Sequence, residues 1–479
     1  MKGRERATRL ELKTIQPIAL DARHGRARDL FTVWFGSNVH LLTIVTGALS
    51  VTVFGLPFVW AVAGLTAGNL VGAIFMALHA AQGPTLGVPQ MVQTRGQFGS
   101  LGALLVIGIV IIMYAGFLSS NIVLGGEALA SLAPGWSDTP GIVAVGLLGV
   151  VATIYGHDLI HAYARIMSYA SGAVLLLAAF WIVAVHGLPP DFLTRNALHT
   201  GGLLGTISVA ALWQISYAPY VSDYTRYMPA DTGVVPAFWA SYWGCTLGSL
   251  LPMILGAVVG LAAPPGSLVH GLAVLTAGIS PLVLIVFSIG IASSNALNLY
   301  CGVLSTLTFG QTLVPSWSPG PKARTVVALV LFGFALAGAI LSKDSFIANY
   351  EDFILLLLYV LVPWTAINLV DYYLLRHGQY DVESFFRHDG GVYGRINGPA
   401  VVCYLLGILV QLPFVASALY TGPIARAAGG IDLSWIVGLV VTSPLYYWMA
   451  KRSQAREAAV AAPARAQLLE SRSSVDAST

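Results

Sequence analysis

Apolar and polar residues follow one another along this chain in long blocks. Apolar runs of 18 or more residues recur from Phe31 to Ala450, which is the length a helix needs to cross a bilayer. Block by block, spans are expected at about 31–55, 58–81, 100–132, 141–155, 163–186, 201–224, 235–263, 277–307, 326–341, 353–375, 400–420 and 436–450. A short external helix is expected at about 267–275. The pattern predicts an all-α polytopic membrane protein with about 12 transmembrane helices. It divides into a basic tail (1–30), a first set of five spans (31–200), a second set of five (201–376), two additional spans (377–450) and a tail (451–479). The last tail is rich in Ala, Arg and Ser without apolar periodicity, so it is expected to be unstructured.

Two of the spans are interrupted. Residues 212–229 read LWQISYAPYVSDYTRYMP, and Pro219 must kink or break a helix there. The middle of span 1 reads SNVHLLTIVTG at 37–47, where Gly47 and the β-branched Thr43 and Thr46 weaken the helix. In a membrane a break is tolerated only where it lines a cavity or is buried in protein. Spans 1 and 6 open the two sets of five, and interrupted spans at matching positions are the mark of an inverted-repeat transporter. Trp213 and Tyr217 flank the second break as candidate walls of a binding site.

Charge fixes the expected orientation. Lys and Arg collect in the two tails and in alternate loops; of 24, only Arg195, Lys343 and Arg426 fall on the other side. By the positive-inside rule both termini are cytoplasmic, and a plasma-membrane location is expected. Charged residues make up 9% of the chain against 56% apolar, where a soluble domain carries about 25% charged. The net charge of +3 does not suggest nucleic acid binding. The first 30 residues lack the apolar core of a cleavable signal. Cys245, Cys301 and Cys403 form neither a metal-ligand spacing nor a disulfide framework.

Polar residues at membrane depth point to a site, because they are expensive there. In span 3, Phe117, Asn121 and Gly125 share one helix face; a ring with an amide one turn away can stack on a flat polar ligand and bond to it. In span 8, SIGIASSNALNLY places Ser293, Ser294, Asn295 and Asn298 within six positions. The two serines, with carbonyls freed at the span 1 break, can form an oxygen cage for a small cation. Carboxylates stay near span ends. Asp223 with Arg226, and Asp371 with Tyr372 and Arg376, are read as bridges at the cytoplasmic mouth; Glu127 is the one candidate proton site. No buried Lys or Arg faces the expected cavity, so a neutral, planar, hydrogen-bonding solute is expected. His157, Asp158 and His161 are read as a solvated turn, not a metal site. Gly391–Gly398 lacks the Lys-Ser/Thr of a phosphate loop. Without ATP chemistry, transport is driven by an ion gradient or is facilitated, and no enzyme activity is expected.

These residues resemble the nucleobase–cation symporter-1 family, also called the purine-cytosine permease family. Four stretches carry the resemblance: GPTLGVPQMVQTRGQFG (83–99), SNIVLGGEAL (120–129), YAPYVSDYTRYMP (217–229) and NLVDYYLLRHGQYDV (368–382). It implies a LeuT-like 5+5 inverted repeat plus two C-terminal helices, and H+- or Na+-coupled uptake of a nucleobase such as cytosine, a purine or uracil. Vitamin, hydantoin or allantoin, and amino-acid carriers on the same fold are the alternatives. The implied substrate residues are Thr43, Phe117, Asn121, Trp213, Tyr217, Asn295 and Asn298, with Trp213 and Tyr217 rival stackers. The family often has Trp where Phe117 stands, and Pro where Leu297 stands. An implied sodium site uses Ser293 and Ser294 with carbonyls of Asn38, Leu41 and Gly290. No other cofactor is expected; the partners are the solute, the coupling cation and the lipid bilayer.

Overall fold

The computed structural model describes residues 14–476 except 133, 134, 136, 156, 196, 233 and 265. The first apolar segment is two helices, Ala27–Asn38 and Leu41–Thr52, bent by 63° at a break. Val39 and His40 leave the helical region at that break. The Thr43 hydroxyl donates to the Asn38 carbonyl, satisfying an acceptor orphaned at the end of the first half. Span 6 divides in the same way into Thr200–Ile215 and Ala218–Thr225. The discontinuity falls at Ser216–Tyr217, just before Ala218–Pro219. Pro219 sits in the first turn of the second half, where its missing N–H has no helical partner to lose.

The remaining spans are 2 (Phe58–Ala80), 3 (Ala103–Leu132), 4 (Asp138–Tyr155), 5 (His157–Trp181), 7 (Val234–Ala262), 8 (Ser280–Leu313), 9 (Pro321–Ser342), 10 (Phe346–Leu369), 11 (Gly398–Gln411) and 12 (Ser434–Asp476). Six helical runs among the described residues are each long and apolar enough to cross a membrane, and the bent pair makes a seventh. One of the six, the 55-residue run Pro321–Leu375, contains spans 9 and 10, separated by the turn Lys343–Ser345. Span 12 continues to Asp476 where an unstructured tail was expected. Its abundant Ala and Arg favour helix without an apolar face, while its Ser residues and Pro463 do not. Residues 83–99 form two short helices, Gly83–Leu86 and Gln90–Phe98. Their polarity serves a buried amide network: Gln82 donates to Asn368 (2.7 Å), and Asn368 to Gln97 (3.4 Å). The external helix is Leu268–Leu275, capped by the Ser267 hydroxyl.

Packing repeats with a shift of five spans. Span 1 lies on span 7, as span 6 lies on span 2; spans 3 and 4 pair, as do 8 and 9; span 3 meets span 8 at the centre. Two of these interfaces are backbone-close. A Cβ on Gly47 would lie 2.1 Å from the Met253 carbonyl oxygen, and one on Gly256 1.9 Å from that of Ile44. At the 2–6 interface, Gly68 and Gly72 stand equally close (2.4 Å) to the carbonyls of Ile207 and Ala211. Small residues let membrane helices approach until dispersion holds them.

Gly256→Val should therefore push spans 1 and 7 apart and lower the thermal unfolding midpoint, at a cost of about 1–3 kcal/mol. Gly333→Val, where a Cβ meets open space, should leave the midpoint unchanged. Equal behaviour of the two variants in detergent would refute the close-packing account.

Candidate functional site

The two broken spans meet at a small cavity between spans 3 and 8. Its walls are His40 and Leu42 from span 1, Phe117 and Asn121 from span 3, Trp213, Ser216, Tyr217 and Tyr220 from span 6, and Ser294 and Asn298 from span 8. None carries a formal charge. The rings lie edge to face: Phe117 to Trp213 at 6.1 Å, Trp213 to Tyr217 at 6.0 Å, with Tyr217 tilted on Tyr220 at 5.3 Å. Such pairs favour offset or T-shaped contacts because ring faces are negative and edges positive. The free volume is about 10 Å³, room for one water.

Trp213 is fixed by its indole N–H, which donates to Asn38 Oδ1 (2.9 Å) and Ser249 Oγ (3.0 Å). Ser249 also donates to Asn38 Oδ1 (2.9 Å), and Asn38 Nδ2 donates to the Trp34 carbonyl (2.7 Å). Asn38 thus joins spans 1, 6 and 7. On the opposite wall the Tyr220 hydroxyl donates to Asn298 Oδ1, and Asn298 Nδ2 donates to the Ser294 carbonyl (3.0 Å). Asn121 Nδ2 donates to Ser294 Oγ (3.3 Å). Two buried polar atoms of the wall have no protein partner, His40 Nδ1 and Asn121 Oδ1.

The cavity is closed unequally. On one side it is covered by Phe353, against Phe117 at 5.3 Å, and by Tyr350, whose hydroxyl bonds Thr46 (2.7 Å). Phe346, stacked on Tyr350 at 5.7 Å, belongs to the lining of a vestibule of about 840 Å³ that also holds Glu127, Asp138, Lys343 and Asp344. The other side is sealed by several layers. Asp223 Oδ1 accepts from the Gln90 N–H (2.8 Å). Arg226 donates to the carbonyls of Asp223 (3.2 Å) and Thr14 (2.9 Å) and to the hydroxyls of Tyr227 and Tyr300 (both 3.2 Å). Residues before span 1 lie beneath, with Ile18 N–H bonded to the Gly87 carbonyl (2.9 Å).

Comparison with known proteins gives the family. The profile of permeases for cytosine/purines, uracil, thiamine and allantoin matches residues 17–438. The chain belongs to this family. It is a multi-pass membrane transporter and not an enzyme. A putative purine-cytosine permease of Bacillus subtilis is 40% identical over 453 residues, covering 92% of this chain and 96% of that protein. A purine-cytosine permease of Saccharomyces cerevisiae is 24% identical, covering 90% and 84%. Among solved structures, a nucleobase-cation-symport-1 family transporter, closed with bromovinylhydantoin bound, superposes with a TM-score of 0.72 at 17% identity, covering 92% of this chain and 96% of that one. A Na+-coupled sialic acid symporter does so at 0.60 and 13% identity, covering 90% and 91%. These two show the fold.

Within the permease, Phe117, Asn121, Trp213, Tyr217 and Asn298 stand together around the cavity. Two expected residues do not. Asn295 faces span 4, its Cβ 2.7 Å from where a Cβ on Gly149 would be; Asn295 and Asn298 lie three residues apart, but only Asn298 reaches the wall. Thr43 is spent on the helix break, with its hydroxyl on the Asn38 carbonyl. Four wall residues escaped the sequence reading: His40, Leu42, Ser216 and Tyr220. Tyr220, one helical turn beyond Tyr217, was legible only once the break was placed before Ala218. Around the expected cation cage, Ser293 Oγ is buried without a partner, while Ser294 Oγ accepts from Asn121. The carbonyl nearest Gly290 is that of Val39, 3.1 Å from where a Cβ would lie; Ser171 Oγ of span 5 is 3.2 Å from the same point. Asn38 and Leu41 flank that carbonyl in sequence. Asp371 forms its expected bridge to Arg376 (2.9 Å) and also accepts from Tyr446 of span 12 (2.8 Å). No group of three His, Cys, Asp or Glu suited to a metal occurs among the described residues; the side chains of His157, Asp158 and His161 lie outside them.

Asn38→Ala should be the costly change in this region, because it strips an acceptor from both Trp213 and Ser249; a loss of about 1–3 kcal/mol is expected. Ser249→Ala leaves Trp213 bonded to Asn38 and should lose less. Thermal unfolding of the two purified variants tests that order, and a milder Asn38→Ala would contradict it.

Proposed function

We propose that the permease imports a neutral nucleobase or a closely related heterocycle together with a cation. The observation that carries this is the composition of the cavity wall: four aromatic rings, no formal charge, and two unpartnered polar atoms at the break and on span 3. An anionic or zwitterionic solute would need a charged partner or a helix N-terminus, and no charged side chain lines the wall. A flat heterocycle can slide between Phe117 and the Trp213–Tyr217 pair, each stacking contact adding about 0.5–1.5 kcal/mol beyond burial. Its edge meets His40 Nδ1, Asn121 Oδ1 and the second N–H of Asn298. Each neutral hydrogen bond contributes about 0.5–1.5 kcal/mol net, while a mismatch that leaves a buried group unpaired costs about 1–3 kcal/mol. Selectivity therefore rests mainly on mismatch. The relatives named purine-cytosine permeases agree with this class of solute.

Coupling to sodium is supported by the Val39 carbonyl and the Ser171 hydroxyl beside Gly290, and by the unpartnered Ser293 hydroxyl three residues further along span 8, all hard oxygen donors. The Lys- and Arg-rich loops support cytoplasmic termini in the plasma membrane. The vestibule then faces outward, so solute enters past Tyr350 and Phe353.

A panel of radiolabelled cytosine, adenine, hypoxanthine, uracil and a hydantoin, run with and without a sodium gradient, tests the proposal. Uptake of at least one nucleobase is expected; uptake of an amino acid alone would overturn it. Asn298→Ala should abolish uptake while the protein still reaches the membrane. For the edge contacts, His40→Asn retains a polar atom near the Nδ1 position and should keep most uptake. His40→Gln retains one near Nε2, on the Thr43 side, and should raise KM about tenfold, the equivalent of one hydrogen bond. Equal uptake by the two variants would remove His40 from the substrate edge.

A further inference from the structure

The Lys- and Arg-rich face holds a second concavity, remote from the central cavity. It lies among the helix Gln90–Phe98, the start of span 3, the end of span 8 and the connection from span 10 to span 11. Arg95, Ser100, Gln311, Arg387, His388 and Arg395 contribute to its lining, and no Asp or Glu does.

Arg95 is 2% exposed. It donates to the carbonyls of Phe385 (2.8 Å) and Thr308 (2.7 Å) and to the Thr312 hydroxyl (2.7 Å). These acceptors are neutral, and Nε has no partner. Burial pulls the guanidinium down to about 10, with no carboxylate contributing in the other direction. Ser100 Oγ and Gln311 Oε1 are likewise buried without partners. A buried cation left without an anion is an expensive arrangement. The donors that remain, a guanidinium Nε–H and a hydroxyl, match the oxygens of a phosphoryl group. Arg395 stands exposed at the rim. Arg387 is there too, held by exposed Asp389 in a two-bond pair (2.7 and 3.0 Å) that water screens. Basic pockets between membrane helices on the cytoplasmic side commonly take phosphate-bearing headgroups.

We propose that this concavity binds a phosphate-bearing anion, held by Arg95 Nε, the Ser100 hydroxyl and Arg395. The free volume is about 10 Å³, so the exposed Arg387 and Arg395 side chains swing outward to admit the phosphoryl group and then close on it. The bound anion ties span 3 and span 8 to the connection after span 10. The same chemistry has two sources: the headgroup of an anionic phospholipid in the adjoining leaflet, or a soluble phosphate.

The test uses the full chain in lipid nanodiscs and reads its thermal unfolding midpoint, which does not depend on which solute is carried. Three conditions are compared at equal ionic strength: phosphatidylcholine in chloride, phosphatidylcholine with phosphatidylglycerol in chloride, and phosphatidylcholine in inorganic phosphate. A rise of several degrees in the second identifies a lipid headgroup, and a rise in the third a soluble anion. The double variant Ser100→Ala/Arg395→Ala should lose the rise while keeping the midpoint of the first condition. Lys322→Ala, an exposed charge outside the concavity, should keep the rise. No rise in either anion condition, or a rise that survives the double variant, overturns the proposal.

Discussion

The structure depends on one buried amide. Asn38 ends the first half of span 1, accepts from Trp213 and Ser249, and donates back to Trp34. In a low-dielectric interior such a network is strong when complete and costly when broken. It fixes the broken end of span 1 against spans 6 and 7 and fixes the plane of the Trp213 ring. The wall of the cavity and the integrity of the break are therefore one arrangement. Trp213 consequently offers a solute only its faces and edges, because its N–H is already engaged.

Around that point the molecule separates what is rigid from what can move. The glycine contacts of spans 1 with 7 and 2 with 6 bring backbone against backbone, and this makes the four spans one body. The closure at span 10 includes one hydroxyl pair, Tyr350 with Thr46, and one ring contact, Phe353 with Phe117. The opposite closure involves Asp223, Arg226, the amides of residues 82–97 and the segment before span 1.

Much of this was legible in the sequence, and the remainder for definite reasons was not. The spans, the two interruptions and most wall residues could be read because a bilayer permits few exceptions to apolar helix, and each exception is conspicuous. Phe117 and Asn121 followed from helical spacing alone. Asn295 could not be separated from Asn298, since three residues on a helix leave both near one face and only the packing of Gly149 decides. Thr43 looked free to meet solute because the carbonyl it satisfies exists only after the helix breaks. His40 was visible as a residue but not as a wall, since its direction is set by the extended backbone at Val39 and His40. The polar stretch at 83–99 read as a connection because the Gln97 amide finds its partner Asn368 on span 10, 271 residues away.

The tightness of the cavity has a pharmacological consequence. Rings that nearly touch without a guest must part to admit one and come together again for the cycle to proceed. A flat solute allows Phe353 to return over Phe117. A solute with the same hydrogen-bonding edge but a bulky out-of-plane substituent still stacks on one side, yet wedges that cover open. On the proposed function, such a compound would be a blocker and not cargo: it would compete for the site and halt the carrier. Affinity and transportability are thus set by different dimensions of the same molecule, its edge and its thickness.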